Sequence, residues 1–124
     1  SLGEWEGRSF EEIAAEQPEE FQRRGRELAT HRPPGGESFE DLRKRALPAV
    51  EEAFAVTGAG RLWCVAHAGL FRVLLLDLLG LSWDQLFSFS FDYCGVTVLR
   101  SAKRSRRLLT VNWHPSLPVT PPFR

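Results

Sequence analysis

Apolar and polar positions near the start of the chain recur at helical spacing. Ser9 and Glu12 form the S-x-x-E pattern of a capping box, and apolar residues follow on one helix face. We predict a short helix here, and Pro18 either ends it or begins another turn. Residues 19–30 are charged and weakly amphipathic, and the sequence that follows predicts a loop because prolines and glycines interrupt helices. This loop reads His31-Arg32-Pro33-Pro34-Gly35-Gly36.

A second helix is predicted to begin after Ser38, whose side chain suits the N-cap position, with Asp41 in the first turn. Its apolar stripe continues as far as Phe54, and a glycine-containing segment at residues 57–60 closes the helix. Pro48 lies inside this stretch and predicts a kink.

Residues 61–66 form a short, mostly apolar run, which is typical of a strand buried on both faces of a parallel sheet. His67 follows at the C-terminal end of this predicted strand. The next residues lead into an apolar helix, predicted over residues 70–79 and ended by Gly80.

The last third of the chain predicts a short capped helix and then a hairpin. Ser82 and Gln85 have the spacing of a capping box. Residues 96–99 and 108–113 are β-rich runs joined by a basic connection, as in a hairpin. The proline-rich tail over residues 115–124 is expected to be irregular or extended.

Composition changes this picture little. A chain of 124 residues suits one domain or part of one, and 43% apolar with 26% charged residues is ordinary for a globular protein. Lys and Arg together number 16, as do Asp and Glu, so no overall charge favours nucleic acid. The longest apolar stretch falls short of the roughly 20 residues that a membrane span needs. We expect a cytoplasmic protein with no nucleic-acid or membrane partner.

Two residue types add specific information. The chain contains no Met, so Ser1 is not expected to be the natural start of translation, and we expect a truncated sequence. Cys64 and Cys94 lack the spacing of a metal pair or a disulfide scaffold, which favours two core thiols.

His67 is the main candidate for chemistry. Ligands of open α/β sheets bind beyond the carboxyl ends of strands, and the helix that follows offers unpaired N–H groups to an anion. Ala68 and Gly69 would let the backbone approach a phosphate, and an imidazole beside that anion would be partly protonated. By spacing alone, a buried structural histidine is an equally good interpretation.

Four short segments together resemble the histidine phosphatase (phosphoglycerate-mutase-like) superfamily, most closely its alpha-ribazole phosphatase and small-molecule phosphatase branch. The order and spacing of the segments match the second half of that domain. They are Leu2-Gly3-Glu4-Trp5-Glu6-Gly7, Gly36-Glu37-Ser38, Val65-Ala66-His67-Ala68-Gly69 and Asp92-Tyr93-Cys94-Gly95.

The resemblance implies an α/β fold, namely a three-layer α/β/α sandwich with a mostly parallel sheet, whose N-terminal strand is missing here. It implies hydrolysis of a phosphomonoester through a phosphohistidine, with His67 as the second active-site histidine and no metal or organic cofactor. The nucleophilic histidine lies in an Arg-His-Gly motif, which these 124 residues do not contain. The family's acid would precede Ser1, and neither Glu4 nor Glu6 occupies its position.

The substrate implied by the resemblance is a small phosphorylated metabolite. The family carries a variable substrate-covering segment where this chain has four arginines, and an arginine fork suits phosphate or carboxylate. Arg32 is the best single candidate among them, although a solvated helix face is a slightly better explanation for any one of the four. The four are Arg23, Arg24, Arg26 and Arg32. Separately, we expect the Ala68 backbone amide to bind the phosphoryl oxygens together with His67.

Several alternatives stay open. The parent could be a phosphoglycerate mutase, or the chain could be a non-catalytic remnant that keeps an anion pocket, and it could form a homo-oligomer through its uncovered sheet edge. Glu37 is better explained as a residue at the start of a helix than as an acid. The basic residues between 100 and 107 are interpreted as a solvated hairpin tip. Neither a zinc site nor a Ser-His-Asp hydrolase has its motif here.

Overall fold

In a computed structural model of the chain, residues 1–58, 60–102 and 105–114 are described, and the chain divides into two compact units. The first unit spans Ser1–Val65, and the second begins at Ala66. The proline-rich tail over residues 115–124, predicted to be irregular, lies outside the described residues. No helix in the described ranges combines the length and the apolarity needed to cross a membrane.

The first unit is helical. A 3-10 turn over Gly3–Trp5 precedes three α-helices: α1 (Phe10–Glu16), α2 (Pro18–Arg26) and α3 (Phe39–Thr57). Pro18 is the first residue of α2, a position where the missing proline N–H costs nothing. Helix α3 continues through Pro48 as one element and ends at Gly58, which has a positive φ of 62°.

The capping boxes predicted at Ser9 and Ser82 and the N-cap predicted at Ser38 are confirmed. The Ser9 hydroxyl accepts a hydrogen bond from the Glu12 amide, and the Glu12 carboxylate accepts one from the Ser9 amide. Ser38 and Asp41 make the same reciprocal pair at the start of α3. Each box satisfies two amide groups that the helix itself leaves without an acceptor.

Trp5 lies at the centre of the first unit, with only 1% of its surface exposed. Its indole Nε1 donates to Gln17 Oε1 at 2.9 Å, so its polar atom is satisfied despite burial. The His31 ring lies 5.9 Å away, and the Arg24 guanidinium lies 5.7 Å from the indole centroid. Trp5 therefore joins the N-terminal turn, α2 and the loop that precedes α3.

The backbone of Gly3 lies against the loop formed by residues 34–36. A Cβ atom on Gly3 would lie 2.1 Å from the Pro34 carbonyl oxygen, and the φ of Gly3 is +59°. The Glu4 amide donates to the same Pro34 oxygen at 2.9 Å. Gly36 is also closely approached, because its Cβ would lie 2.9 Å from the Leu2 carbonyl carbon. Glycine is required on both sides of this contact.

The strand predicted over residues 61–66 is not formed in this structure, which assigns neither helix nor strand to that segment. Trp63 is 73% exposed and Val65 is 99% exposed, and Cys64 is exposed instead of lying in the core. A strand exists only by hydrogen bonding to a neighbour. Within the described residues, this segment pairs with no other strand.

The second unit contains one long helix and a hairpin. Its elements are α4 (Ala68–Leu79), a 3-10 turn (Trp83–Gln85), β1 (Val96–Ala102) and β2 (Ser105–Trp113). The predicted hairpin is confirmed, since β1 and β2 pair antiparallel with Val96 opposite Trp113 and Leu99 opposite Leu108. Residues 103–104, inside the basic connection, lie outside the described part of the chain.

The predicted fold is confirmed at the level of an α/β protein. The sheet described in residues 96–102 and 105–113 has two antiparallel strands, so these residues do not form the mostly parallel sheet that we expected. Parallel strands must be joined by a long crossover connection, whereas β1 and β2 follow each other closely in the chain and pair antiparallel. The 61–66 segment likewise has no neighbouring strand with which to pair in the described part of the chain.

We expect Gly3→Ala to lower the free energy of unfolding more than Gly7→Ala does. Both glycines have positive φ, at 59° and 76°, so alanine costs roughly 1–2 kcal/mol of backbone strain at either position. Only at Gly3 does the new methyl group also collide with the Pro34 carbonyl, because nothing lies within 4 Å of a Cβ on Gly7. Urea unfolding of the two variants provides the measurement, and equal losses would contradict the close contact.

Candidate functional site

His67 is the N-cap residue of α4. Its backbone is extended, with φ −85° and ψ 154°, and its carbonyl accepts hydrogen bonds from the Leu70 and Phe71 amides at 3.0 and 3.3 Å. Its side chain makes no capping hydrogen bond and is exposed. The alternative of a buried structural histidine therefore does not describe this residue, whose imidazole is accessible to a ligand.

The N-terminus of α4 carries unsatisfied donors. Ala68 and Gly69 are its first two residues, and their amides have no acceptor within the described residues, as expected at a helix start. The first turn contains no acidic side chain. The positive end of the helix dipole is thus not offset by a carboxylate in that turn, which favours an anion beside His67.

Helix α4 is anchored beyond its first turn. Four consecutive residues are buried: Val73, Leu74, Leu75 and Leu76. Gly80 ends the helix in the left-handed conformation, with φ 68° and ψ 34°, and confirms the predicted C-terminus. Anchoring of this kind holds the N-terminal amides in one orientation.

Arg72, on α4, contacts the segment that follows this helix. Its Nη1 donates to the Phe89 carbonyl at 2.5 Å, and its guanidinium lies 5.1 and 5.4 Å from the rings of Phe87 and Phe91. Arg72 is a charged residue in an otherwise mostly apolar helix. Its partners lie 15 to 19 residues away, so no local pattern could have found them.

Asp92-Tyr93-Cys94-Gly95 forms a turn that Asn112 holds from β2. Asn112 Oδ1 accepts from the Asp92 amide, and Asn112 Nδ2 donates to Asp92 Oδ2, both at 2.8 Å. A Cβ on Gly95 would lie 2.2 Å from Asn112 Oδ1, which explains the glycine. Tyr93 and Cys94 are exposed. The contacts that this segment makes here are structural, because they hold the turn against β2.

Arg32 lies in the first unit, in the loop before α3. Its Nε and Nη2 donate to the two carboxylate oxygens of Asp41, at 2.5 and 2.8 Å. The Arg32 hydrogen bonds come first among the causes that hold the pKa of Asp41 well below its usual range, followed by those from Ser38. The same pairing raises the pKa of Arg32. Spacing did not predict this contact, because nine residues and a loop separate the partners.

The other acidic and basic candidates of the first unit have protein partners. Glu37 accepts from Arg45 Nη2 at 2.9 Å, which lowers the pKa of Glu37 and agrees with its predicted structural role. Arg23 pairs with Glu27 at 3.2 Å. Arg24 lies over three aromatic rings, and burial lowers its pKa.

His67 and Ala68 belong to the second unit, and Arg32 belongs to the first. His31 is a different kind of histidine, with 6% exposure, and its Nε2 has no hydrogen-bond partner in the described structure. Among the described residues, no group of three or more His, Cys, Asp or Glu side chains is placed to hold a metal ion.

Comparison with known proteins identifies relatives for nearly the whole chain. A family model described as "Histidine phosphatase superfamily (branch 1)" matches residues 1–114. The chain is 36% identical over 94 residues to the 2,3-bisphosphoglycerate-dependent phosphoglycerate mutase 2 of Gloeobacter violaceus, covering 74% of this chain and 43% of that protein. It is 34% identical over 84 residues to human 6-phosphofructo-2-kinase/fructose-2,6-bisphosphatase 1, covering 68% of this chain and 17% of that protein.

A solved structure is also similar. Bacillus stearothermophilus YhfR superimposes with a TM-score of 0.72 at 27% sequence identity, covering 86% of this chain and 54% of that chain. The chain therefore spans about half, or less, of the length of these relatives.

We expect the ionised Asp41 carboxylate to stabilise the protein above about pH 4, the ordinary pKa of aspartate, and to lose this effect as pH falls toward its lowered pKa. The Asp41→Asn variant should be less stable than the original protein at neutral pH, and the difference should shrink below pH 4. Urea unfolding across a pH series measures it. In Arg32→Ala the Asp41 carboxyl should titrate at higher pH by NMR, whereas an unchanged titration would exclude Arg32 as the main cause.

Proposed function

Because the chain belongs to the histidine phosphatase superfamily (branch 1), we propose that it is the C-terminal part of one phosphatase domain that hydrolyses the phosphomonoester of a small metabolite. The observation that carries this proposal is the exposed imidazole of His67 at the N-cap of α4, next to amide groups without an internal acceptor. The imidazole, the amides and the helix dipole all favour a bound phosphoryl group.

In this proposal His67 acts on the transferring phosphoryl group. A protonated imidazole donates a hydrogen bond to one phosphoryl oxygen, and the Ala68 amide donates to another. Negative charge on these oxygens is stabilised by donors that are already oriented, so little reorganisation is needed during the reaction. Neither group is consumed, and each has the same state before and after turnover.

The covalent steps need two groups that the 124 residues do not supply. We propose an upstream Arg-His-Gly histidine whose nitrogen attacks phosphorus and displaces the alcohol, while a carboxylic acid protonates the leaving oxygen. Water then attacks the phosphohistidine and gives a proton to the carboxylate left by the first step, the P–N bond breaks, and inorganic phosphate, the free histidine and the carboxylic acid are restored. Arg32, in the first unit, is proposed as a substrate-binding residue.

The upstream part would also complete the fold. The 61–66 segment is rich in strand-forming residues, and its exposed Trp63 and Val65 would gain hydrophobic stabilisation on burial. We propose that this segment becomes a strand of a mostly parallel sheet in a three-layer α/β/α sandwich when the upstream strands are present. His67 would then lie at the carboxyl end of that strand.

A phosphoglycerate mutase is the second candidate, favoured by the mutase of Gloeobacter violaceus and by a Chlamydia trachomatis mutase that is 35% identical over 88 residues. The chemistry at His67 would be the same. The phosphoryl group would pass from the histidine to a second hydroxyl instead of to water.

We expect a chain extended upstream through an Arg-His-Gly segment to release phosphate from an aryl phosphate, and the 124-residue chain to release none. In the extended protein, His67→Ala should lower kcat by about tenfold or more, because a donor to the phosphoryl oxygens is lost. Circular dichroism and the unfolding midpoint serve as controls for folding. Activity of the extended protein that is unchanged by His67→Ala would contradict the role of His67.

The extended protein also separates the candidate functions. Phosphate release without a bisphosphorylated primer supports the phosphatase, whereas transfer between hydroxyl groups that depends on such a primer supports the mutase. Absence of both activities would favour a non-catalytic protein that keeps an anion pocket.

We expect Ala68→Pro to lower kcat in the extended protein while the helix remains folded. Proline is tolerated at the first helical position, and it removes only the amide hydrogen. It also requires an extended residue before it, which His67 already is. The loss should be about tenfold or more. Ala68→Gly retains the N–H and is the control; equal activity of the two variants would exclude the Ala68 amide as a phosphoryl donor.

A further inference from the structure

Charge is distributed unevenly along the chain. All 16 Asp and Glu residues lie within residues 1–92, together with 10 of the 16 Lys and Arg residues. Residues 93–124 contain the other 6 basic residues and no acidic residue. The net charge of zero, which led us to expect no nucleic-acid partner, therefore conceals a formal charge of −6 in the first segment and +6 in the second. An asymmetry of this kind is typical of a chain that binds a polyanion.

The hairpin brings two of these basic residues together. The antiparallel register of β1 and β2 places Arg100 directly opposite Arg107. Side chains of directly opposed residues lie on the same face of a sheet, with their Cβ atoms about 5 Å apart. Both arginines are exposed. One face of the hairpin therefore presents two adjacent guanidinium groups to solvent.

These two guanidinium groups repel each other in the free protein. Within the described residues, neither has a carboxylate, carbonyl or aromatic partner. Like charges directly opposite each other destabilise an antiparallel pair. A bound anion would offset this repulsion, and each guanidinium can hold a phosphate through two parallel hydrogen bonds. The pair therefore suits a ligand that carries phosphate groups.

The sequence around the pair adds more positive charge. Lys103, Arg104 and Arg106 bring the number of basic residues between positions 100 and 107 to five. The side chains of these three residues lie outside the described part of the structure. Arg100 and Arg107 form the opposed pair without them.

The composition of the hairpin distinguishes between kinds of polyanion. Residues 94–112 contain no Phe, Trp or Tyr, whereas proteins that bind single strands stack the bases on aromatic side chains. Segments that bind membranes combine basic residues with apolar residues that enter the interface, but Ala102 is the only apolar residue between positions 100 and 107. These features favour the backbone of a nucleic-acid duplex.

The dimensions of the hairpin also suit a duplex. Neighbouring strands lie about 4.8 Å apart, and the major groove of B-DNA, about 12 Å wide, admits a two-stranded ribbon. A duplex carries one negative charge per about 1.7 Å of its axis, about twice the density that an extended acidic peptide offers. Arg100 is four residues along β1 from Val96, so the pair lies roughly 13 Å from the end of the hairpin that Asn112 holds.

We propose that the face of the hairpin formed by Arg100 and Arg107 binds the phosphodiester backbone of double-stranded DNA, independently of base sequence. Binding is driven by release of the counterions that the duplex holds, and contacts to phosphates carry no direct sequence information. This activity is additional to the chemistry proposed at His67 and does not rest on it.

The test measures binding of a fluorescent DNA duplex to the full-length parent protein by anisotropy, over a series of NaCl concentrations. The strand ends carry no phosphate, so the duplex offers no phosphomonoester to the site around His67. A second duplex of unrelated sequence should bind with the same affinity within about twofold. A strong preference for one sequence would contradict binding through the backbone alone.

Arg100→Gln and Arg107→Gln should each weaken duplex binding by about three- to tenfold at about 0.1 M salt. Each should also lower the slope of log Kd against log salt concentration by about 1, because one phosphate contact is lost. Arg100→Lys and Arg107→Lys keep the charge and should keep the slope, with a smaller loss of affinity. Unchanged affinity and slope in both glutamine variants would overturn the inference.

The unfolding midpoint separates binding from a structural role. Because the opposed charges repel, the glutamine variants should unfold at the same denaturant concentration as the original protein or at a higher one. A structural role would instead lower the midpoint. Loss of duplex binding that accompanies such a fall would overturn the inference.

A matched control removes the same charge from the first unit. Arg26 and Lys44 are both exposed there. Arg26→Gln combined with Lys44→Gln should change duplex affinity by less than about twofold at about 0.1 M salt, because charges outside the contact are screened. An effect equal to that of Arg100→Gln combined with Arg107→Gln would show that binding follows total charge, and the inference would be wrong.

Three other polyanions complete the test. A DNA single strand of the same length, vesicles containing phosphatidylserine, and poly-glutamate should all bind more weakly than the duplex. Binding of any of them as tightly as the duplex would overturn the inference and identify a different partner. Hydrolysis of an aryl phosphate without duplex binding leaves the phosphatase proposal in place and excludes this one, and duplex binding without hydrolysis does the reverse.

Discussion

The first unit depends on a close contact between two backbone segments that only glycine permits. Gly3 and Gly36 face each other across a space too small for a Cβ on either side. The hydrogen bond from the Glu4 amide to the Pro34 carbonyl closes the contact. The contact brings the turn that carries Trp5 to the loop that carries Arg32, so a packing constraint in one segment determines the position of a candidate functional residue in another.

The second unit has a comparable dependence on α4. Anions bind at helix N-termini because the first amides lack acceptors, but those amides are useful only when the helix is held still. Burial of Val73 and its neighbours, the left-handed Gly80 and the bond from Arg72 to the Phe89 carbonyl together hold this helix. His67 therefore lies at the start of a well-anchored helix, which suits the role that we propose for it beside a phosphoryl group.

The segments that identified the family have a common physical character. Three of them contain a glycine whose added Cβ would collide with another part of the chain: Gly3 and Gly36 with each other's segments, and Gly95 with the side chain of Asn112. At each of these positions a residue with a Cβ would require the backbone or a neighbouring side chain to move. The remaining segment, around His67, is the one for which we propose a chemical role. A motif can therefore identify a family through folding requirements more than through catalysis.

Local interactions within a few residues were determined by the sequence alone: the capping boxes at Ser9 and Ser38, the end of α4 at Gly80 and the hairpin of β1 and β2. The position of His67 at a helix N-terminus belongs to this group, because one short motif specifies both the histidine and the helix start. The tertiary structure alone decided that the 61–66 segment is not a strand and that Arg32 pairs with Asp41. Both outcomes depend on partners distant in the chain: a strand requires a neighbouring strand, and a guanidinium pairs with whichever carboxylate the fold places within reach.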